Sequence, residues 1–167
     1  PLRLVGSEMC IRDSGIPTPR TAFISNEKNI KTGLDLIGGK FPLILKTLTG
    51  TQGVGVVKIE SYEGLVATVQ AMWKLGAELL IQEFMPTKFD VRTFVVDNKV
   101  IASTKRVHSS YDFRSNTHRG AEAMPYILND EEHELALKAS RASKAYMVGV
   151  DHIAVSYTHL TLPTNRE

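Results

Sequence analysis

The chain alternates short aliphatic runs with stretches in which apolar residues recur every three or four positions. Side chains repeat every two residues along a strand and every ~3.6 along a helix, so the runs predict strands and the recurrences predict helices. The predicted strands are RTAFIS, FPLILKTL, GVVKI, ELLIQEF, VRTFVV, KVIASTKR and VGVDHIAV. Helices are expected around Ile30, after Ser61 and in NDEEHELALKASRASKAYM. This order predicts an α+β protein of two lobes that meet near IQEF.

Local signals indicate where some of these elements end. Asn129 and Glu132 have the spacing of a capping box at the start of the third helix. Asp97 and Asn98 tolerate positive φ, so they predict a hairpin turn between VRTFVV and KVIASTKR. A polar loop is expected from His108 to Pro125, and VGVDHIAV is expected to be the last strand.

Composition limits the class of protein. The chain has 167 residues, 43% of them hydrophobic, which suffices for a buried core. Net charge is +2 with both signs interspersed, so no direct nucleic-acid partner is expected. The single cysteine, Cys10, excludes an internal disulfide framework and favours the cytoplasm. No apolar run reaches the roughly 18 residues of a membrane span, so no membrane partner is expected.

The two ends differ from the region between them. PLRLVGSEMCIRDS and VSYTHLTLPTNRE have no clear period and resemble translated adaptor read-through. We therefore expect residues 1–14 and 155–167 to be artefacts, the alternative being ordinary termini. The first lobe is then residues 15–84, with a glycine-rich loop, and the second lobe is residues 85–154.

The glycine-rich loop lies between two predicted strands and contains Gly50, Gly53 and Gly55. A P-loop is excluded because no Lys-Ser/Thr pair follows Gly50 at the required distance. A dinucleotide fingerprint is excluded because the loop leads into a strand instead of a helix. Two interpretations remain: a flexible hairpin loop, or a loop whose backbone N–H groups surround phosphate oxygens.

Several charged residues lie on strands, which usually exclude charge. Lys46 ends one strand, where it either reaches water or contacts a phosphate as a point charge. Glu83 lies among aliphatic residues and needs a partner. Asp90 and Arg92 share one strand face and Arg106 ends the paired strand, so a cross-strand salt bridge is the simplest interpretation.

A polar loop, DFRSNTHRGA, changes this assessment. Arg114, Ser115 and Asn116 offer a guanidinium, a hydroxyl and an amide within three consecutive residues. Such a mixture suits recognition of phosphate or carboxylate better than a solvated turn.

Taken in order, five segments resemble the ATP-grasp superfamily: LILKTLTGTQGVGVV, LLIQEF, DVRTFVV, DFRSNTHRGA and VGVD. They are most similar to its RimK-like glutamate ligases, which add glutamate to the C-terminus of a ribosomal protein. The resemblance covers about residues 15–154. It implies an ATP-grasp fold, in which the nucleotide lies between two α+β lobes. It also implies that the hairpin from Gly50 through Gly53 to Gly55 is a mobile flap over the ATP phosphates.

The resemblance implies roles for residues around the nucleotide. Lys46 would contact phosphate and the adenine edge. Glu83, with the backbone of Phe84 and Met85, would hold adenine. Asp90 would contact the ribose.

The resemblance also implies the reacting centre. Arg114, Ser115 and Asn116 would line the nucleotide and the acyl phosphate, and Arg106 would lie near the transferring phosphoryl group. Arg106, Arg114 and Asn116 are therefore the candidate catalytic residues. Asp151 matches the first carboxylate of the family's Mg²⁺ site, with Mn²⁺ as an alternative metal.

The reaction implied by the resemblance activates a carboxylate with ATP and converts the acyl phosphate into an amide. The expected partners are ATP, glutamate or a similar amino acid, and a ribosomal protein C-terminus, and a homo-oligomer stays open. The family's N-terminal domain and its Glu-x-Asn metal ligands are not found, so we expect an inactive fragment with an unpaired edge at its last strand. The alternatives are an ATP-grasp ligase for an amino-acid carrier or a pterin cofactor, and a nucleotide-binding module without catalysis.

Overall fold

The computed structural model describes residues 14–48, 54–107, 122–155 and 158–162. These residues form two compact units, of which the first is Pro19–Met85 and the second begins at Pro86. Residues 14–18 belong to the second unit, and Ile16 packs in its core. The first unit therefore starts later than the boundary at residue 15 used in the sequence analysis. None of the helices in the described ranges is long and apolar enough to span a bilayer.

The first unit is a four-stranded antiparallel sheet with two helices. Its strands are β1 (Thr21–Ile24), β2 (Leu43–Thr47), β3 (Val56–Ile59) and β4 (Leu79–Glu83), in the spatial order β1-β4-β2-β3. Its helices are α1 (Glu27–Leu36) and α2 (Tyr62–Lys74). Each element expected in this part of the chain is confirmed.

One face of this sheet forms the core with both helices. Leu45 and Ile81 are fully buried and belong to one cluster with Ile30 of α1 and Leu65 and Val69 of α2. Burying one such side chain contributes about 1.5–3 kcal/mol. Because successive residues of a strand point to opposite faces, the residues between these core positions lie on the face away from the helices.

The second unit is a five-stranded antiparallel sheet with one helix. Its strands are β5 (Phe89–Val96), β6 (Lys99–Val107), β7 (Glu122–Pro125), β8 (Met147–Val155) and β9 (Thr158–Leu162), in the order β7-β6-β5-β8-β9. The helix is α3 (Asp130–Ser143), and it packs on one face of the sheet through a small apolar cluster that includes Val95, Ala136 and Val150.

Three expectations about this unit are wrong. The segment expected to be polar loop up to Pro125 ends in β7, which pairs with β6. The third helix does not continue to Met147, because Lys144 adopts a left-handed conformation with φ of 52° and ends it. Strand β8 is neither the last strand nor an unpaired edge, since β5 and β9 flank it. Whether residues 155–167 are an artefact stays a prediction.

The predicted local signals are confirmed at two places. Asp97 and Asn98 have φ of 47° and 55° in the β5–β6 turn. Glu132 donates its backbone N–H to Asn129 Oδ1 at 2.9 Å, and Asn129 donates its backbone N–H to Glu132 Oε2 at 2.9 Å. This reciprocal capping box starts α3, and Tyr126 donates its hydroxyl to Glu132 Oε1 at 3.1 Å. The cap therefore also ties the preceding segment to the helix.

We predict that Asn129→Ala lowers the free energy of unfolding by about 1 kcal/mol, because it removes the acceptor for the Glu132 N–H. Urea denaturation of the purified chain measures this difference. Asn129→Asp and Asn129→Ser retain an oxygen at the cap and should stay close to the original stability. An Asn129→Ala variant as stable as Asn129→Asp would contradict the prediction.

Candidate functional site

A chain of hydrogen bonds crosses the first sheet on the face away from its helices. Lys46 Nζ donates to Gln82 Oε1 at 2.7 Å, and Gln82 Nε2 donates to Thr21 Oγ1 at 2.9 Å. The register explains these contacts, since Gln82 lies opposite Thr21 on one side and Ile44 on the other. Gln82 is only 3% exposed, so its amide holds the Lys46 ammonium in place instead of leaving it to extend into water.

Glu83 has an ionic partner that sequence reasoning missed. Arg20 donates from Nε and Nη2 to Glu83 Oε2 at 2.8 Å and 2.6 Å, and its backbone N–H donates to Oε1 at 2.7 Å. Hydrogen bonding to Glu83 raises the pKa of the Arg20 guanidinium. Both carboxylate oxygens of Glu83 are therefore engaged within the protein. The signal in the sequence was the position of Arg20 just before β1, the strand that pairs with β4.

Phe84 and Met85, the residues expected at adenine, follow β4 and are half-buried. The Lys58 ammonium lies 4.9 Å from the centre of the Phe84 ring and 2.8 Å from Glu60 Oε1. Lys58 is opposite Ile44, so its side chain lies on the same face as Lys46. Sequence reasoning did not single out this second cation.

Gly55 has a structural reason to be glycine. Its φ is +80°, and a Cβ at this position would overlap the Oγ1 atom of Thr47. Thr47 also donates its backbone N–H to the Gly55 carbonyl at 3.0 Å, which continues the β2–β3 hairpin. Gly50 and Gly53 lie outside the described residues, so a phosphate-binding role for this loop stays a prediction.

The second unit carries a ladder of four charges on the sheet face opposite α3. We call Asp90, Arg106, Asp151 and Arg92 the charge ladder. Asp90 lies opposite Arg106 across β5 and β6, and Arg92 lies opposite Asp151 across β5 and β8. Opposite residues of antiparallel strands share a face, so the register alone brings both pairs together.

Each pair in the charge ladder is a two-point contact. Arg106 donates from Nε to Asp90 Oδ1 at 2.9 Å and from Nη2 to Asp90 Oδ2. The same Nη2 lies 3.0 Å from Asp151 Oδ1. Arg92 donates from Nε and Nη2 to Asp151 Oδ1 and Oδ2, both at 2.7 Å. The cross-strand salt bridge favoured by the sequence is confirmed, and it extends to Asp151.

Burial makes this ladder sensitive to the loss of any member. The exposed fraction of the side chain is 1% for Asp90, 11% for Arg106 and Asp151, and 34% for Arg92. Hydrogen bonds to Asp151 raise the pKa of Arg92. Burial lowers the pKa of Arg106, but hydrogen bonds and charges of Asp90 and Asp151 outweigh it and leave that pKa raised. Two positive and two negative groups therefore balance, and removing one leaves a poorly solvated charge.

The expected metal ligand can be tested against this geometry. Asp151 supplies the hard carboxylate oxygens that Mg²⁺ prefers. In the described part of the chain, no three His, Cys, Asp or Glu side chains gather into a metal cluster. Asp151 fits the metal as one carboxylate ligand, but Arg92 already bonds to both of its oxygens. Arg114, Ser115 and Asn116 lie outside the described residues, so their roles stay predictions.

Solved structures with the same arrangement of elements define the class. The D-alanine–D-alanine ligase from Bacillus anthracis superposes with a TM-score of 0.75 at 19% identity, over 93% of this chain and 53% of that one. The ATP-grasp ligase PsnB, solved with a precursor variant, Mg and ADP, gives 0.70 at 21% identity, over 94% and 47%. The fold is therefore the ATP-grasp fold, as the resemblance implied.

Sequence relatives identify the family. The family described as RimK-like ATP-grasp domain matches residues 5–166, and this chain belongs to it. A probable α-L-glutamate ligase of Legionella pneumophila (strain Corby) is 34% identical over 153 residues, which are 90% of this chain and 50% of the relative. One from Vibrio vulnificus (strain YJ016) is 40% identical over 139 residues, 82% and 46% of the two chains. The chain thus spans about half the length of these curated relatives.

The Gly55 geometry predicts that Gly55→Ala destabilises the protein without any nucleotide present, by about 1–3 kcal/mol for strain at a positive φ. Thermal denaturation measures the loss. Adding Thr47→Ala should recover part of it, because it removes the overlapping hydroxyl but not the positive φ. Gly39→Ala is a matched control, since Gly39 has φ of +67° and no atom within 4 Å of an added Cβ. If Gly55→Ala costs no more than Gly39→Ala, the contact with Thr47 does not matter.

Proposed function

We propose that the protein is an ATP-dependent ligase that forms a C–N bond, and that this chain carries its nucleotide-binding residues. The observation that carries the proposal is Lys46, a half-buried cation that Gln82 holds on the helix-free face of the first sheet. A fixed ammonium of this kind suits a phosphate group. Membership of the RimK-like ATP-grasp family supports ATP as the phosphate compound and Mg²⁺ as its metal.

The substrate proposal is that glutamate is added to the C-terminus of a protein. It is supported by the names of the relatives, probable α-L-glutamate ligases, and a ribosomal protein is the expected acceptor. The likeness to PsnB, which was solved with a precursor, is compatible with a peptide acceptor. The cytoplasmic location expected from the composition agrees with such an acceptor.

The proposed reaction has two steps. A carboxylate oxygen of the acceptor attacks the γ-phosphorus of ATP, and ADP leaves, which yields an acyl phosphate. The amine of glutamate then attacks the acyl carbon, loses a proton and expels phosphate, which leaves an amide. Protein groups accelerate such transfers mainly by positioning and by stabilising charge. Mg²⁺, when bound, supplies further neutralisation of the phosphate charge.

The residues of the first unit bind ATP in this proposal. Lys46 binds phosphate and the adenine edge as a point charge. The backbone of Phe84 and Met85 borders adenine, while Glu83 positions that segment through its three hydrogen bonds from Arg20. Glu83 thus acts on the nucleotide through the position of the backbone.

The residues of the second unit provide fixed charge. Arg106 stays protonated between Asp90 and Asp151 and stabilises negative charge near the transferring phosphoryl group. A contact of Asp90 with the ribose, which the resemblance implies, requires its carboxylate to move, because this side chain is 1% exposed and bonds to Arg106 through both oxygens. Arg114 and Asn116 approach the acyl phosphate, as the resemblance implies.

Lys46→Met should weaken ATP binding by about tenfold to a hundredfold, because a charge-assisted hydrogen bond contributes about 1.5–3 kcal/mol. Adenosine binding should change far less, since adenosine has no phosphate. Isothermal calorimetry with both ligands measures the two effects. Lys28→Met, which removes an exposed lysine of α1, is the charge-matched control. Equal losses for ATP and adenosine would contradict a phosphate contact.

The activity is tested with the enzyme expressed from its gene, an acceptor peptide that ends in a free carboxylate, ATP, Mg²⁺ and glutamate. ADP release should depend on glutamate, and the peptide should gain the mass of a glutamate residue. The same peptide with a C-terminal amide should be inert, because it has no carboxylate to activate. ATP binding without ADP release would favour a nucleotide-binding module, and modification of the amide-ended peptide would exclude the proposed chemistry.

A further inference from the structure

Arg92 differs from the other members of the charge ladder in exposure and in number of partners. Its side chain is 34% exposed, and Asp151 is its ion-pair partner among the described residues. Arg106 is 11% exposed and bonds to Asp90 as well as Asp151. Moving Arg106 would leave Asp90, 1% exposed, without its main cation. Moving Arg92 leaves Asp151 its contact with Arg106 at 3.0 Å, and the Arg92 guanidinium can enter water.

The carboxylate of Asp151 cannot serve Arg92 and a metal ion equally well. Oδ1 accepts a hydrogen bond from Arg92 Nε and lies 3.0 Å from Arg106 Nη2, while Oδ2 accepts one from Arg92 Nη2. A divalent cation on either oxygen would lie within a few ångströms of the Arg92 guanidinium. Like charges at that separation repel strongly in a partly buried place, where water screens them poorly.

We propose that Arg92 is a positioning residue that holds Asp151 in the absence of a divalent cation and releases it when Asp151 ligates one. This inference rests on the proposed function only in taking Asp151 as a ligand of the cation. Arg92 keeps the carboxylate aligned and the ladder neutral until the cation arrives. After release, its guanidinium has donors for an anion, so a cation and a phosphate group would favour each other's binding.

NMR of the arginine Nε–H groups follows the release of Asp151 by Arg92 directly. When Mg²⁺ is titrated into the 167-residue chain without nucleotide, the Arg92 Nε–H should exchange with water about tenfold faster or more, because it loses its acceptor. The Arg106 Nε–H should stay protected by Asp90. NaCl at equal ionic strength controls for screening. In Asp151→Asn, the Arg92 signal should no longer respond to Mg²⁺.

The competition also predicts a gain in affinity. Arg92→Gln should bind Mn²⁺, used as a paramagnetic substitute for Mg²⁺, about tenfold tighter or more in EPR titrations, because the competing charge is gone. The Mn²⁺ affinity of Arg92→Lys should lie between those of the original chain and of Arg92→Gln, since lysine keeps the charge but loses the two-point contact. Arg141→Gln is the matched control, because it removes an equal charge at an exposed position of α3. Adding Asp151→Asn to Arg92→Gln should cancel the gain.

Several outcomes would overturn the proposal. Mn²⁺ affinity that is unchanged or lower in Arg92→Gln would do so, as would Mg²⁺ binding that moves the Arg106 signal and leaves Arg92 bonded. Absence of divalent binding in every variant would also reject it. Should Arg92→Gln fail to fold, the NMR titration of the original chain and the Mn²⁺ titration of Arg92→Lys still decide. Glutamate-dependent ADP release and the Lys46 comparison test the proposed function separately, since neither is measured on an Arg92 variant.

Discussion

The ion pairs of the charge ladder, whose opposite charges must balance where water is scarce, constrain this structure more than any other interaction. Arg106 bonds to Asp90 with two nitrogens and also reaches Asp151, so one guanidinium links three strands of the second sheet. Leaving either carboxylate without a cation would cost several kcal/mol, as for any buried charge that loses its partner. The register of β5 with β6 and β8 brings these charges together on the helix-free face, where each member needs the others to be balanced.

The first unit satisfies its polar groups with both neutral and ionic partners. Gln82 is buried and uses its amide to connect Lys46 with Thr21, which orders the ammonium without neutralising it. Glu83, in contrast, is neutralised by Arg20. Gln82 thus fixes the Lys46 ammonium, while Arg20 offsets the charge of Glu83, the residue after Gln82 on β4. Such a distribution is suited to an anionic ligand and is ordered before the ligand binds.

Much of the fold could be predicted from short-range patterns. Alternation identified the strands of the first unit, and the Asn129 and Glu132 spacing identified the start of α3, because these signals depend on neighbours within a few residues. Strand β7 was missed because a four-residue segment has little periodicity of its own, and its assignment comes from pairing with β6. The end of α3 was misplaced because Lys144, a residue without special preference, takes the left-handed conformation that glycine usually provides.

By itself the sequence determined the order of elements in the first unit, the hairpin turn and the capping box of the second, and the resemblance that named Lys46, Glu83, Asp90, Arg106 and Asp151. Tertiary structure decided the partners of those residues. Arg20 and Glu83 are 63 positions apart, and Arg92 and Asp151 are 59 apart. No local pattern encodes such pairs, because they depend on which strands become neighbours and in which register. That choice is made by burial of the whole sheet, which the chain reaches only when it folds.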